Sequence, residues 1–398
     1  KEVVGADALG LVNRGFHTFV APSMADRLQD STCESCGLCI STCPTGALSE
    51  NVLFKPGPIK TDKVVTVCNY CSVGCEIEIN HKSQFVMKVS GSEGIINPDG
   101  NICRYPKFGF NYLNDNARLT KPVLKENGKF KEISFKKAYD IIAEKISQVK
   151  PDENAFFAGA RLTNEEMYLI QKLARAGVKT NNVSSFHYLN RGDGYTFNSR
   201  NNVPFEQINQ ASKIYLLGSE INEDNAVAGF MINNAQFNNK TPVELITTHE
   251  NSSMKRKVDH VLNITSYYYF IKAVNYYLVA NNFHNAMYIN DNCDAYEEYK
   301  AEVLKENFGE LIKLSGVKTM DTVVEFAKSY NNEMNAIIVF SEKEVSANAS
   351  YELFNLSMIT GKLGKTANGL ISLKEKNNSQ GLFDIPNYGQ GYGVKKYE

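Results

Sequence analysis

Four cysteines between residues 68 and 103 constrain this chain more than any other feature of its sequence. Three lie close together and the fourth follows after 27 residues: Cys68, Cys71, Cys75 and Cys103. A cubane [4Fe-4S] cluster needs four converging thiolates, since each of its four irons binds one sulfur. The spacing therefore predicts a [4Fe-4S] cluster held by these four cysteines.

The residues between the third and fourth cysteines predict a hairpin that brings Cys103 back to the other three. Glu76–Asn80 and Phe85–Val89 alternate apolar and polar residues, and a polar turn separates them. Gly74 lies directly before Cys75. We expect a side chain there to crowd the cluster or to prevent the backbone from folding around it.

Zinc and disulfide bonds are the alternatives for these thiols. A structural zinc ion also takes four cysteines, but its ligands more often come as two CxxC pairs. Disulfides are rare in a reducing compartment. Eight of the nine cysteines lie in the first 103 residues. This asymmetry predicts an iron–sulfur head, a cysteine-poor body and a cytoplasmic location, although a twin-arginine signal could have been lost with a missing N-terminus.

A second cysteine group follows the bacterial ferredoxin pattern C-x2-C-x2-C-x3-C-P: Cys33, Cys36, Cys39 and Cys43. In that pattern the first three cysteines bind one cluster and the fourth binds the other cluster of a pair. Two interpretations stay open. In the first, which we favour because the chain lacks an initiator Met, an upstream cysteine run is missing and Cys43 binds the cluster of that run. In the second, all four cysteines bind one cluster.

Composition narrows the remaining function classes. A chain of 398 residues is long enough for two or three domains. Its formal net charge of −1 provides no general attraction to nucleic acid or anionic membrane. No apolar run approaches the roughly twenty residues that a membrane-spanning helix needs. We therefore expect no nucleic-acid partner and no transmembrane segment.

Beyond residue 134 the chain alternates strand-like and helix-like patterns, which predicts a doubly wound parallel α/β sheet. Ser134 is a good N-cap for the first helix, and Gly177 is expected to end the second. The predicted strands are Ala155–Ala158, Lys213–Leu217, Val243–Thr247 and Ala336–Phe340. The predicted helices span residues 135–146, 164–175, 225–237, 266–281, 296–315, 319–330 and 347–359.

Two short stretches can each be interpreted either as a binding site or as an ordinary turn, which is the plain interpretation. Gly218–Asn222 follows a strand and could meet a phosphate, but an ordinary strand–helix turn is the favoured interpretation. The basic run Lys255–Lys257 is expected to be a solvated turn, since no basic surface surrounds it.

Taken together, these residues resemble the molybdopterin oxidoreductase superfamily, in particular formate dehydrogenase alpha chains and the large iron–sulfur subunit of NADH-quinone oxidoreductase. The resemblance implies a ferredoxin-type part over residues 1–60, a small β-rich [4Fe-4S] domain over 61–115 and a molybdopterin-oxidoreductase-like α/β body over 116–398. Besides the cysteines, the motifs that carry it are Val12–Phe16, Arg118–Pro122, Asn164–Glu165, Lys172–Arg175, Thr180–Val183, Thr360–Gly364 and Asn377–Gly381.

The chain departs from the family at the cofactor positions. Counting from Asn182, Asn190 stands where the family has a Cys or selenocysteine metal ligand, and Arg191 replaces the proton-handling His. An amide oxygen is a poor substitute for a soft thiolate, and Arg191 cannot release its proton. Tyr105 replaces the bridging lysine. The guanine-binding stretch aligns with Ser266–Tyr269, the Asp-Pro-Arg turn becomes Thr248–Glu250, and the chain ends at Glu398, before the family's closing domain.

These departures predict that no molybdopterin is bound and that no residue is catalytic. The expected function is electron transfer through [4Fe-4S] clusters in an NADH- or ferredoxin-linked complex, with a flavin-containing NADH-oxidising subunit, a small [2Fe-2S] subunit and possibly ferredoxin as partners. The alternatives are a catalytic molybdenum or tungsten formate dehydrogenase-like subunit and a structural or assembly subunit whose cysteines hold zinc or stay empty.

Overall fold

A computed structural model describes residues 3–22, 26–51, 59–188 and 201–387 of the chain. Within these ranges no helix is both long and apolar enough to cross a membrane.

The N-terminal segment is a short hairpin followed by one turn of helix. Strands β1 (Gly10–Val12) and β2 (Phe19–Ala21) pair antiparallel, and α1 (Leu38–Thr42) follows. Gly37, directly before α1, has a φ of 68°, and a Cβ on it would lie 2.5 Å from a ring carbon of Phe108. Only glycine fits this close approach, which seats α1 against the residues that follow Cys103.

The next unit is a three-stranded antiparallel sheet in the order β3-β4-β5. Its strands are β3 (Asp62–Val67), β4 (Glu76–Lys82) and β5 (Phe85–Gly91). The predicted hairpin of β4 and β5 is therefore confirmed, and each of its strands runs two residues further than the alternation indicated. Helix α2 (Arg104–Phe108) begins directly after Cys103.

A second hairpin and an exposed helix lead to the body. Strands β6 (Val123–Glu126) and β7 (Lys129–Glu132) precede α3 (Phe135–Ser147), which buries none of its residues. The predicted N-cap is confirmed, because the Ser134 hydroxyl accepts a hydrogen bond from the Lys137 N–H at 3.2 Å.

Two predictions in the following stretch are wrong. Strand β8 (Phe156–Phe157) pairs only with β9 (Val183–Ser184) and leaves Phe157 exposed, so it is not a buried strand. Helix α4 (Asn164–Lys172) does not end at Gly177. It continues as a π-helical stretch over Leu173–Val178, and the left-handed residue after it is Lys179, with a φ of 67°.

The body is built on five parallel strands in the order β12-β11-β10-β13-β14. This confirms the predicted doubly wound sheet. The predicted strands at 213–217 and 243–247 are matched, and the third ends one residue later. Sequence reasoning missed β12, which has only four residues, and β14, which is as long as β10 and β11 but begins with a glycine. The strands are β10 (Lys213–Leu217), β11 (Val243–Thr247), β12 (His260–Asn263), β13 (Ala336–Ser341) and β14 (Gly369–Leu373).

Helices cover both faces of this sheet. They are α5 (Ile221–Asp224), α6 (Ala226–Asn239), α7 (Tyr267–Ala280), α8 (Ala286–Asn292), α9 (Tyr296–Val303), α10 (Phe308–Ser315), α11 (Met320–Asn332), α12 (Ala347–Ile359) and α13 (Ser379–Asn387). The single helix predicted over 296–315 is two helices, since Asn307 starts the second by accepting the Glu310 N–H at 3.1 Å.

Two hydrophobic cores lie on opposite faces of the sheet. One packs Tyr215 and Leu217 against α7, α11 and α12. The other packs Ile214 and Leu216 together with buried residues of the cysteine-bearing unit. The second core therefore joins the β3-β4-β5 unit to the sheet and fixes the cysteines relative to it.

Candidate functional site

The β3–β4 connection and the start of α2 bring four thiols into one region. Cys68, Cys75 and Cys103 are buried, and Cys71 is half-buried. The Cys68 N–H donates to the Cys75 carbonyl at 2.8 Å, which closes the loop at the base of the two strands. All four thiols are free.

Their mutual proximity is visible in their electrostatics. Burial raises the pKa of Cys68 to about 11 and that of Cys103 to about 12. The pKa of Cys75 is also raised, first by burial and then by Cys71, Cys68 and Cys103. Such thiols ionise only when a cation compensates for the lost hydration, and bound iron does so.

Backbone donors face three of these sulfurs. The N–H groups of Tyr70, Val73 and Tyr105, each two residues beyond a cysteine, lower the pKa of Cys68, Cys71 and Cys103 respectively, against the larger effect of burial. Hydrogen bonds to sulfur stabilise the thiolate form and tune a cluster's potential. This donor set, four thiols with N–H groups aimed at three, fits a [4Fe-4S] cluster.

A cubane spaces its ligands more widely than a single ion does, because each thiolate binds a different iron. Across the described ranges, no three His, Cys, Asp or Glu side chains converge closely enough to hold one metal ion.

Gly74 has a φ of 76°, in the left-handed region, yet a Cβ there would meet no protein atom within 4 Å. Its backbone conformation, rather than crowding by neighbouring protein atoms, explains the glycine.

Residues far along the chain hold the cysteine loop in place. The Ser72 hydroxyl accepts the Lys374 N–H at 2.7 Å, and the Ser72 N–H donates to the Lys374 carbonyl at 3.3 Å. The Arg161 guanidinium donates to the Asn69 carbonyl at 2.5 Å. The loop is thereby tied to the end of β14 and to the segment after β8.

Lys374 is itself buried and forms an ion pair with Glu342 at 3.1 Å. Burial lowers the pKa of its ammonium, while Glu342 opposes that change. The Ser372 hydroxyl also hydrogen-bonds to Glu342. The carboxyl ends of β13 and β14 therefore carry a buried charged network beneath the cysteine loop.

In the N-terminal group, Cys33 and Cys39 both act on Cys36. Burial raises the pKa of Cys36, and Cys33 and Cys39 raise it further. Cys43 is half-buried and has other partners. Its pKa is lowered to about 7, first by the backbone N–H of Leu48 and then by the Thr45 hydroxyl, 3.5 Å away.

A cavity of about 610 Å³ lies between the N-terminal segment and the sheet, lined among others by Cys33, Cys36, Cys103, Arg104 and Asn222. Lys257 reaches its wall and pairs with Glu34, whose carboxylate also accepts from the Asn222 amide at 3.4 Å. The expectation that 255–257 is a solvated turn is therefore wrong for Lys257, which is largely buried.

Strands β10 and β13 are neighbours in the sheet although β11 and β12 lie between them in sequence, so the winding reverses between them. The crevice for ligands in this class of sheet lies at the carboxyl ends of such a pair. Glu344 fills it. Its carboxylate accepts the Ser219 N–H at 2.7 Å and the Ser219 hydroxyl at 2.9 Å.

Lys343 adds ion pairs at the same edge of the sheet, to Glu220 at 3.4 Å and to Asp224 at 3.0 Å. Together with the bonds between Glu344 and Ser219, these contacts favour the plain interpretation of Gly218–Asn222 as a strand–helix turn.

Two further positions at which the chain departs from the family pattern have structural roles in the described part of the chain. Ser266 caps α7 by accepting the Tyr269 N–H at 3.5 Å. Tyr105 stacks on Tyr70 with ring centroids 5.6 Å apart. Asn190 and Arg191 lie outside the described residues. Sequence reasoning did not identify Glu344, Lys374 or Lys107 as site residues, because nothing in their local pattern distinguishes them.

Comparison with known proteins agrees with this division into a cysteine-rich head and an α/β body. The molybdopterin oxidoreductase family model matches residues 118–396, the model of the molybdopterin oxidoreductase Fe4S4 domain matches 61–115, and that of the 4Fe-4S binding domain matches 29–49. The chain belongs to the molybdopterin oxidoreductase family and carries its Fe4S4 domain.

Among curated relatives, the F420-dependent formate dehydrogenase 2 subunit alpha of Methanococcus maripaludis is 31% identical over 350 residues, covering 83% of this chain and 51% of the relative. A putative formate dehydrogenase of Staphylococcus aureus is 26% identical over 420 residues, covering 90% of this chain and 42% of the relative. The chain thus spans about half the length of these relatives or less. Acetylene hydratase from Pelobacter acetylenicus shares the fold, with a TM-score of 0.58 at 15% identity over 76% of this chain and 44% of that one.

Proposed function

We propose that this chain is an iron–sulfur electron-transfer subunit, or part of one, in an NADH- or ferredoxin-linked oxidoreductase complex, and that its α/β body serves as a scaffold without a pterin. The observation that carries the proposal is the unit bearing the thiols of Cys68, Cys71, Cys75 and Cys103, which packs into one core with the sheet. The hydrogen bonds between Glu344 and Ser219 at the switch point of the sheet support a scaffold without a pterin.

In this proposal Cys68, Cys71, Cys75 and Cys103 hold one [4Fe-4S] cluster. The buried thiols and the N–H groups facing three of them support this assignment. A bound cluster accepts and releases single electrons, with a potential set by charge, hydrogen bonds and exposure. The chain supplies the thiolates, the N–H donors and a dry environment.

The N-terminal cysteines hold a second cluster or parts of two. The interactions among Cys33, Cys36 and Cys39 favour a shared cluster for these three. The separate surroundings of Cys43 favour its service to another cluster, whose remaining ligands would come from outside this sequence. The domain division at 1–60, 61–115 and 116–398 is part of the same proposal.

Charge at the crevice disfavours a pterin. Dinucleotide-like cofactors place their phosphates on backbone N–H groups at the carboxyl ends of parallel strands. The carboxylate of Glu344 already accepts the Ser219 N–H and would repel a phosphate there. Tyr105, in place of the family's bridging lysine, offers no ammonium.

The proposed partners are a flavin-containing NADH-oxidising subunit, a small [2Fe-2S] subunit and possibly ferredoxin. The proposed location is cytoplasmic, because unpaired thiols in this number belong to a reducing compartment. Support for these partners comes from the resemblance to the large iron–sulfur chain of NADH-quinone oxidoreductase.

A catalytic formate dehydrogenase-like subunit is the second candidate, favoured by the 31% identity with a subunit named as formate dehydrogenase. It would require the amide of Asn190 to replace a thiolate or selenolate as metal ligand, which is poor chemistry for molybdenum or tungsten.

The deciding experiment measures iron, acid-labile sulfide, zinc, molybdenum and tungsten together on anaerobically purified chain. We expect iron and sulfide in equal amounts and neither molybdenum nor tungsten. Stoichiometric molybdenum or tungsten with formate-dependent dye reduction would overturn the proposal in favour of the second candidate. Zinc in place of iron, or empty cysteines, would favour a structural or assembly subunit.

A further inference from the structure

Lys107 is a buried lysine that faces both cysteine groups. It lies in α2, four residues after Cys103, with 6% of its surface exposed. Lysines are almost never fully buried unless they are paired. Burial lowers the pKa of its ammonium, while Cys36, Cys39 and Cys103 oppose that change and Lys88 adds to it.

Its hydrogen bond crosses between the two units. The Lys107 ammonium donates to the Ser41 hydroxyl of α1 at 3.0 Å. A Cβ on Gly37 would lie 3.0 Å from the Cδ of Lys107, so the backbone before α1 packs directly on the lysine stem. Ser41 follows Cys39 by two residues. The ammonium is thus held at the boundary between the N-terminal thiols and Cys103.

Of the other two buried lysines of the described chain, one has a charged partner and one has a neutral partner. Lys374 pairs with the Glu342 carboxylate, and Lys362 donates to the Glu333 carbonyl at 2.5 Å. Lys107 donates to a neutral hydroxyl and faces thiols. A neutral hydroxyl does not neutralise the ammonium, which in its charged form stabilises negative charge at the cysteine groups.

We propose that Lys107 is a positioning residue for electron transfer between the two cysteine groups, whose ammonium stabilises the reduced state at both. This inference rests on the proposed function. One electron leaves one site and arrives at the other, so the first is oxidised and the second reduced by one unit, and no bond or proton changes. Because one cation faces both ends of the step, it favours the electron at either end.

The test compares Lys107→Met, which removes the charge, with Lys107→Arg, which keeps it. Dithionite is the reductant, and the midpoint potentials of both sites are followed by EPR in a mediated titration. At a fixed potential we expect the reduced-to-oxidised ratio at both sites to fall by about tenfold in Lys107→Met, or about 59 mV for a one-electron couple. Lys107→Arg should retain most of the ratio.

Lys63→Met is the matched control, since Lys63 lies on β3 of the same unit with its side chain 60% exposed. It should leave both potentials unchanged. If Lys107→Met fails to fold, Lys107→Gln keeps a donor for Ser41 without the charge and should show the same loss.

The outcomes are distinguishable. A lower melting temperature with unchanged potentials would mean that Lys107 only anchors α1. A changed potential at one site alone would mean that the ammonium does not act on both cysteine groups. Either result overturns the inference while leaving the proposed function intact. Absence of iron from the unaltered chain would overturn both.

Discussion

The carboxylate of Glu344 accepts hydrogen bonds from both the backbone N–H and the hydroxyl of Ser219, at 2.7 and 2.9 Å. The two residues follow β13 and β10, the adjacent strands at which the sheet reverses its winding. A carboxylate of the chain thus lies at the switch point, where this class of sheet binds its ligands. The scaffold proposed above depends on this contact.

Glu344→Ala should destabilise the chain by about 1–3 kcal/mol, because it leaves the partly buried Ser219 N–H without its charged acceptor. Urea unfolding measures the difference. Glu325→Ala, at an exposed position of α11, is the control and should change the free energy of unfolding by less than about 0.5 kcal/mol. Equal effects of the two substitutions would show that the hydrogen bonds between Glu344 and Ser219 stabilise the chain no more than an exposed side chain does.

Cys103→Ser should abolish the cluster proposed for the β3-β4-β5 unit, because one of four ligands is lost. We expect the iron and sulfide content of the anaerobically purified protein to fall, with the N-terminal site retained. Cys293→Ser removes a half-buried thiol far along the chain and should leave the iron content unchanged. Full iron in Cys103→Ser would exclude Cys103 as a ligand.

The thiols of iron-free protein should react with iodoacetamide in an order set by their pKa. The pKa of Cys43 is lowered to about 7, below the pKa of about 8.5 of an ordinary cysteine, so its thiolate forms at lower pH. Its alkylation rate should be half-maximal near pH 7. Peptide mass spectrometry measures the rate at each cysteine.

Burial raises the pKa of Cys293 and of Cys68, the latter to about 11, so both should react slowly at pH 7 and faster as the pH rises. Cys293 is the internal control, because it belongs to neither cysteine group. Alkylation of Cys43 no faster than that of Cys293 at pH 7 would contradict the assigned surroundings.

Lys374→Met should destabilise the chain by about 3–5 kcal/mol, since it removes the buried ammonium that forms an ion pair with the largely buried carboxylate of Glu342. The double variant with Glu342→Gln should recover much of that loss, because no uncompensated charge then stays buried. Thermal or urea unfolding checks both. Additive losses in the double variant would show that the two side chains do not act as a pair.

Features with a local physical cause could be predicted from the sequence. The β4–β5 hairpin follows from its two-residue alternation, and the helix Ala347–Ile359 has the predicted bounds, its first turn capped by Ser346. Where the local signal is weak the prediction fails. Nothing in the apolar spacing of 296–315 shows the break at Asn307, β12 has only four residues, and β14 begins with a glycine.

The cysteine spacing, the capped helices and the alternation of strands with helices were determined by the sequence alone, because neighbouring residues decide them. The contacts that hold the site together were decided only by the tertiary structure. The bonds of Lys107 to Ser41, Ser219 to Glu344 and Lys374 to Ser72 join residues 66, 125 and 302 positions apart. No local periodicity encodes such pairs. The sheet brings the last two together at its strand ends beneath the cysteine loop, and the packing of α1 against α2 brings Lys107 to Ser41.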